Sequence, residues 1–153
     1  MAAKLDTFDI HILQRLTQDA RVSWRDLADG IGLSLTPTLR RVRRLESEGY
    51  ILGYGARLDE KRLIGAIEAL ISITLDRQSD EALTAFESSV LAVEEVTDCF
   101  QMTGDFDYLL RVVVSDLEHF QLMVAKLSRI PMLSRINSSF VLKTVIRRAP
   151  LIS

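Results

Sequence analysis

The sequence predicts an α+β protein in two parts, a head of short capped helices followed by a βαββαβ run. Three observations predict it. A capping residue followed by apolar residues at helical spacing occurs three times before residue 50. From residue 66 onward, stretches rich in Val, Ile and Leu alternate with two further helical stripes. The charge is also uneven: residues 1–58 hold nine Lys/Arg against seven acids, a net +2, and the rest hold ten against fourteen, a net −4. The predicted parts are residues 1–58, a linker at 59–65, and 66–153.

In the head, Asp6 reads as an N-cap with Asp9 as its box partner, and Leu5 and Ile10 are spaced as a hydrophobic staple. Phe8, Ile12, Leu13 and Leu16 form the apolar stripe behind them. Ser23 and Asp26 repeat the box, stapled by Val22 and Leu27, and Gly30 and Gly32 keep that second helix short. Ser34 caps a third helix, with Pro37 in the first turn, where a missing N–H costs least, and Gly49 as the stop. Residues Tyr50–Leu58 read as a strand pair around glycines, a small wing, with Tyr54 and Arg57 in reach of phosphate.

Three helices with a glycine-containing turn between the second and third describe a helix-turn-helix. On a helical wheel Leu35, Leu39, Val42 and Leu45 share one side of the third helix. Thr36, Pro37, Arg40 and Arg44 share the other, flanked by Arg41 and Arg43. A basic, hydroxylated front on an apolar back suits a reader of the DNA major groove, because arginine forks match guanine edges and phosphate oxygens. The expected DNA-contacting residues are Ser34, Thr36, Pro37, Thr38, Arg40, Arg41, Arg43 and Arg44.

In the second part Glu68–Leu75 alternates, with Ala69, Ile71, Ile73 and Leu75 on one face. Ser79 caps a helix with Leu83, Phe86, Val90 and Leu91 inward. Val96–Thr103 is a second strand, and Gly104-Asp105 turns it into a third, Asp107–Val114. Ser115 and Glu118 box the next helix, striped by Leu117, Phe120, Val124 and Leu127, and Arg135–Ile146 is the last strand. This order is the ferredoxin-like split unit. Tyr108, Leu110, Val112 and Val114 lie on one face of the third strand and Leu109 and Val113 on the other, so both faces are expected to be buried, the bare one by a second copy.

Composition narrows the function. The chain of 153 residues is 48% hydrophobic and 26% charged, with a net charge of −2. It is neither a disordered segment nor a bulk polycation. No apolar run reaches the roughly 18 residues of a membrane span, and charges near the start leave no export signal. The single cysteine, Cys99, fits a reducing cytoplasm. Cys99, His11 and His119 form no ligand spacing, so no metal or cofactor is expected.

The residues also carry a resemblance. Leu5-Asp6, Asp9, Ile12-Leu13, Asp19-Ala20-Arg21, Gly32-Leu33-Ser34, Thr36-Pro37, Arg41–Glu46, Gly49-Tyr50-Ile51, Thr103–Leu110 and Ser139–Lys143 stand as in the leucine-responsive regulator/asparagine regulator (Lrp/AsnC) family of bacterial and archaeal transcription factors. Leu35 stands where the family often has proline, and Met132 where glycine is common. The resemblance implies a winged helix-turn-helix, dimers assembling to tetramers or octamers, a nucleoid-associated place in the cytoplasm, and no catalysis. It also implies an amino-acid effector at the glycine-aspartate turn, lined by Gln101, Thr103, Gly104, Asp105, Phe106, Asp107 and Tyr108. By composition alone that turn better suits an ordinary hairpin, and only the resemblance favours a ligand site. The competing functions on this architecture are a sirohaem-type tetrapyrrole decarboxylase, which leaves the arginine run unexplained, and a nucleoid-structuring DNA binder without an effector.

Overall fold

A computed structural model describes residues 5–65 and 67–148. The outer limits expected for the two parts, at residues 1, 66 and 153, lie outside the described residues. The chain forms two units: residues up to Arg57 together with those from Ile146 onward, and Leu58–Val145.

In the helical unit, helix α1 spans Thr7–Gln18. Its capping box is complete: the Asp9 N–H donates to the Asp6 carboxylate at 2.9 Å, and the Asp6 N–H to that of Asp9 at 3.0 Å. Helix α2 spans Trp24–Ile31, with the Asp26 N–H donating to Ser23 Oγ at 3.1 Å. Gly30 lies inside it, and Gly32, at φ 73°, ends it. Helix α3 spans Leu35–Ser47. Gly49 at φ 77° lets the Tyr50 N–H reach the Leu45 carbonyl at 2.9 Å and its own N–H that of Glu46 at 3.1 Å, closing the helix end. Ile12, Leu13, Leu16, Leu27, Ile31, Val42 and Leu45 form the core, and Leu5 and Val22, the staple residues, pack on it.

The strand pair expected over Tyr50–Leu58 is not formed; those residues carry no strand. Tyr54 turns its hydroxyl back to Glu46 at 2.8 Å, and Arg57 donates to the Arg147 carbonyl at 3.0 Å. These side chains bind α3 and the C-terminal tail rather than facing each other across a hairpin. Burial and the Glu46 carboxylate push the Tyr54 hydroxyl up to about 12.

The second unit begins with a short helix α4, Glu60–Leu63, inside the segment expected as linker. Strand β1 (Ile67–Leu75), helix α5 (Asp80–Val90), strands β2 (Val96–Gln101) and β3 (Tyr108–Val114), helix α6 (Leu117–Leu127) and strand β4 (Leu133–Phe140) follow. The sheet is antiparallel in the order β2-β3-β1-β4, the ferredoxin-like arrangement, with Ile71 paired to both Leu110 and Ser138. Ala69, Ile71, Ile73 and Leu75 join Tyr108, Leu110, Val112 and Val114 in a core with Phe86, Val90, Phe120, Met123 and Leu127.

Four sequence expectations shift here. Asp116 rather than Ser115 caps α6, because its carboxylate accepts the His119 N–H at 2.8 Å while Ser115 donates to Asp116. Leu91 and Leu117, placed on inward stripes, are exposed: one follows the end of α5, and the other opens α6 before its first buried turn. Strand β4 ends at Phe140, and Leu142 and Val145 beyond it are exposed. The open face of β3 is not wholly apolar, because Arg111 lies between Leu109 and Val113. It bonds Glu68 at 2.6 Å and also Glu60 of α4, and Asp98 lies at 3.4 Å. Burial pulls the Arg111 guanidinium down, but Glu60 and Glu68 outweigh it and hold it above its ordinary value.

Candidate functional site

The side of α3 facing its own core is Thr38, Val42 and Leu45. This turns the wheel from the expected one. Thr38 is fully buried and donates its hydroxyl to the Ser34 carbonyl at 3.0 Å, so it belongs to the packing and not to a DNA-facing surface. Leu35, expected inward, is exposed. Ser34 holds an N-cap backbone conformation without a side-chain cap bond. It is exposed, as are Thr36, Arg40 and Arg43, with Pro37 half-buried.

Arg41 and Arg44 point to α1. Arg41 Nη1 lies 2.7 Å from Asp6 Oδ2 and 2.8 Å from Asp9 Oδ1, and Arg44 Nη2 lies 2.5 Å from Asp9 Oδ2. The Asp9 N–H lowers the Asp6 carboxyl below its ordinary value, with Arg41 adding to it, and both carboxylates hold Arg41 above its own. Asp6, Arg40, Arg41 and Arg44 line an open cleft of about 310 Å³. Sequence reasoning cast Asp9 only as a cap. Its spacing to the arginines carries no local signal, since they lie 32 and 35 residues on.

In the sheet unit the expected effector residues separate into two groups. Thr103, Gly104 and Asp105 form an exposed turn, with Gly104 at φ 118° and Phe106 half-buried beside it. Asp107 is 7% exposed, and both carboxylate oxygens are occupied: the Leu75 N–H donates at 2.7 Å and Gln78 Nε2 at 2.6 Å. It pins the end of β1 to β3 and is not open to a ligand ammonium. Tyr108 is buried against Phe86, ring centroids 4.5 Å apart, and donates to Glu87 at 2.7 Å. Burial, and then Glu87, push its hydroxyl well above the usual range. Gln101 and Tyr108 share a cavity of about 270 Å³ with Glu87, Val90, Leu91 and Cys99, residues the sequence did not single out as binding. Burial raises the Cys99 thiol. Among the described residues no helix is long and apolar enough to cross a membrane.

A helix-turn-helix head with a basic exposed front, carried on a ferredoxin-like unit with an open sheet face, defines a class: DNA-binding regulators with an appended ligand domain. Comparison with known proteins places the chain within it. Residues 5–51 match the family model for a winged helix-turn-helix DNA-binding domain, and residues 68–151 that for the Lrp/AsnC ligand binding domain. The chain belongs to the Lrp/AsnC family of transcriptional regulators. It is 53% identical to the Bkd operon transcriptional regulator of Pseudomonas aeruginosa, over 96% of this chain and 97% of that one. It is 40% identical to the leucine-responsive regulatory protein of Haemophilus influenzae, over 83% and 77% of the two chains. Among solved structures, a transcriptional regulator of Neisseria meningitidis in complex with L-methionine superposes with a TM-score of 0.90 at 34% identity, covering 97% of each chain.

Proposed function

We propose that this chain is a homo-oligomeric transcriptional regulator that lays the exposed front of α3 in the major groove and answers to a small amino acid. The observation that carries the reading is that front: Ser34, Thr36, Arg40 and Arg43 are exposed beside Pro37, on a helix whose other side is packed. A groove-reading helix needs rigid support behind and polar reach in front. Arg41 and Arg44 flank this surface.

The effector is best accommodated at the Thr103–Phe106 turn, whose backbone amides suit a carboxylate and whose exposed Asp105 suits an ammonium. Both oxygens of Asp107 are taken by neutral donors, the Leu75 N–H and Gln78 Nε2, so the ammonium is assigned to Asp105. Gln101, at the end of β2, lines the 270 Å³ cavity. The relative solved with L-methionine supports an amino acid as the class of ligand.

A second copy covering the open sheet face suits Leu70 and Phe100, which are exposed on it, and half-buried Leu109. Two heads would then meet half-sites about one helical turn, roughly 34 Å, apart or a multiple of it.

Titration of an operator fragment with and without each amino acid tests the reading. Arg40→Ala or Arg43→Ala is expected to cost about 1–3 kcal/mol in operator binding where the side chain reads a base. Asp105→Ala is expected to abolish the effector response while leaving unliganded DNA binding intact. Unchanged operator affinity in both arginine variants overturns the interface. Sedimentation of the wild type is expected to show a dimer or larger; a monomer at micromolar concentration rules out the sheet pairing.

A further inference from the structure

We infer that Asp9 is a positioning residue for DNA recognition, dividing the arginines of α3 into a pair that builds the helical unit and a pair that meets DNA. The inference rests on the reading of α3 as the DNA-facing helix. Asp9 sits in the first turn of α1 and is 0% exposed. One of its oxygens accepts from Arg41 and the other from Arg44, while Asp6 takes a second bond from Arg41. Arg44 Nε is buried with no hydrogen-bond partner among the described residues, so that nitrogen is closed to phosphate. The side chains of Arg41 and Arg44 are 24% and 37% exposed, while Arg40 and Arg43 are exposed.

Two physical consequences follow. The first is geometric. Arg41 and Arg44 lie on the α1 side of α3, and Asp9 anchors both. That fixes the rotation of α3 about its own axis and aims Thr36, Arg40 and Arg43 outward together. The second is electrostatic. Asp6 and Asp9 neutralise two of the four guanidinium charges, so a helix with four arginines meets DNA as a divalent surface. Binding to duplex DNA releases counterions in proportion to the phosphates the protein neutralises, and a guanidinium already paired with a buried carboxylate adds little to that count.

The test is the salt dependence of binding to a mixed-sequence DNA duplex by the full chain. Arg40→Gln and Arg43→Gln are each expected to flatten the slope of log K against log salt by about 0.9 per lost phosphate contact per head. Arg41→Gln and Arg44→Gln are expected to leave the slope as it is, whatever they do to the melting temperature. Asp9→Asn is expected to steepen the slope, because it removes one of the two carboxylates and frees the charge of Arg44 while Arg41 keeps Asp6, and to narrow the gap between operator and mixed-sequence affinity. A residue that merely stabilises the fold would lower affinity on substitution without steepening the slope. Equal flattening by all four arginine variants, or a slope unchanged by Asp9→Asn, overturns the inference and leaves α3 as the DNA-facing helix. Slopes unchanged by every arginine variant overturn that reading of α3 and the inference with it.

Discussion

Asp9 in the helical unit and Asp107 in the sheet unit are both buried carboxylates, yet their surroundings answer them differently. Asp9 receives two guanidinium groups from another helix. Asp107 receives a backbone N–H and a glutamine amide, both neutral. In the first case pairing of opposite charges ties α1 to α3. In the second the carboxylate serves mainly as a pair of acceptors that fix the end of β1 to the start of β3. The contrast shows that a buried aspartate can be a structural clamp in two ways, and that only one of them offsets cationic charge on α3.

The largest expected effect comes from stranding Asp9. Arg41→Ala combined with Arg44→Ala leaves a fully buried carboxylate without a cation, which costs about 3–5 kcal/mol. The melting transition of the helical unit is the measurement, with the transition of the sheet unit as internal reference. A loss under about 1 kcal/mol would mean that water replaces the arginines, and the contrast would fail.

A sharper comparison replaces each carboxylate by its neutral isostere. Asp9→Asn gives up charge-assisted bonds to two arginines and is expected to cost about 1.5–3 kcal/mol. Asp107→Asn keeps an acceptor for the Leu75 N–H, and Gln78 can flip its amide to meet the new NH₂ group. A cost under about 1 kcal/mol is expected there. Denaturant titration of the two variants side by side reads the difference. The opposite ranking would show that Asp107 holds its neighbours through charge after all.

The same contrast marks what was legible in the sequence. The caps at Asp6 with Asp9 and at Ser23 with Asp26 were readable because both partners lie within one helical turn. The buried faces of the strands were readable because residues such as Ala69, Ile71 and Ile73 alternate with mostly polar ones. The second role of Asp9 was hidden, since its arginines lie on another helix. For the same reason Glu60, 51 residues from Arg111, gave no hint that α4 is held to the sheet. On α3 the wheel was turned because Thr38, a polar residue, takes an interior place by bonding the Ser34 carbonyl, while Leu35 is left outside. At the glycine-aspartate turn, composition could not tell the exposed Asp105 from the buried Asp107.

The smallest expected effect concerns how the two units make their sharp turns. The helical unit places glycine at its left-handed positions, Gly32 and Gly49, each with open space where a Cβ would stand. The sheet unit places Met132 at φ 68° just before β4, where its carbonyl accepts the Asp76 N–H at 2.9 Å. A non-glycine residue held there carries about 1–2 kcal/mol of backbone strain. Glycine relieves that strain but has more freedom to lose on folding, which offsets about 0.4–1 kcal/mol. Met132→Gly is therefore expected to stabilise the sheet unit by about 0.5–1 kcal/mol. Met132→Ala serves as the control, because it removes the same partly exposed side chain and keeps the strain. Thermal melts of the two variants decide the matter. A glycine variant no more stable than the alanine one would show that this turn tolerates methionine without strain, and that the two units do not differ in how they tolerate left-handed turns.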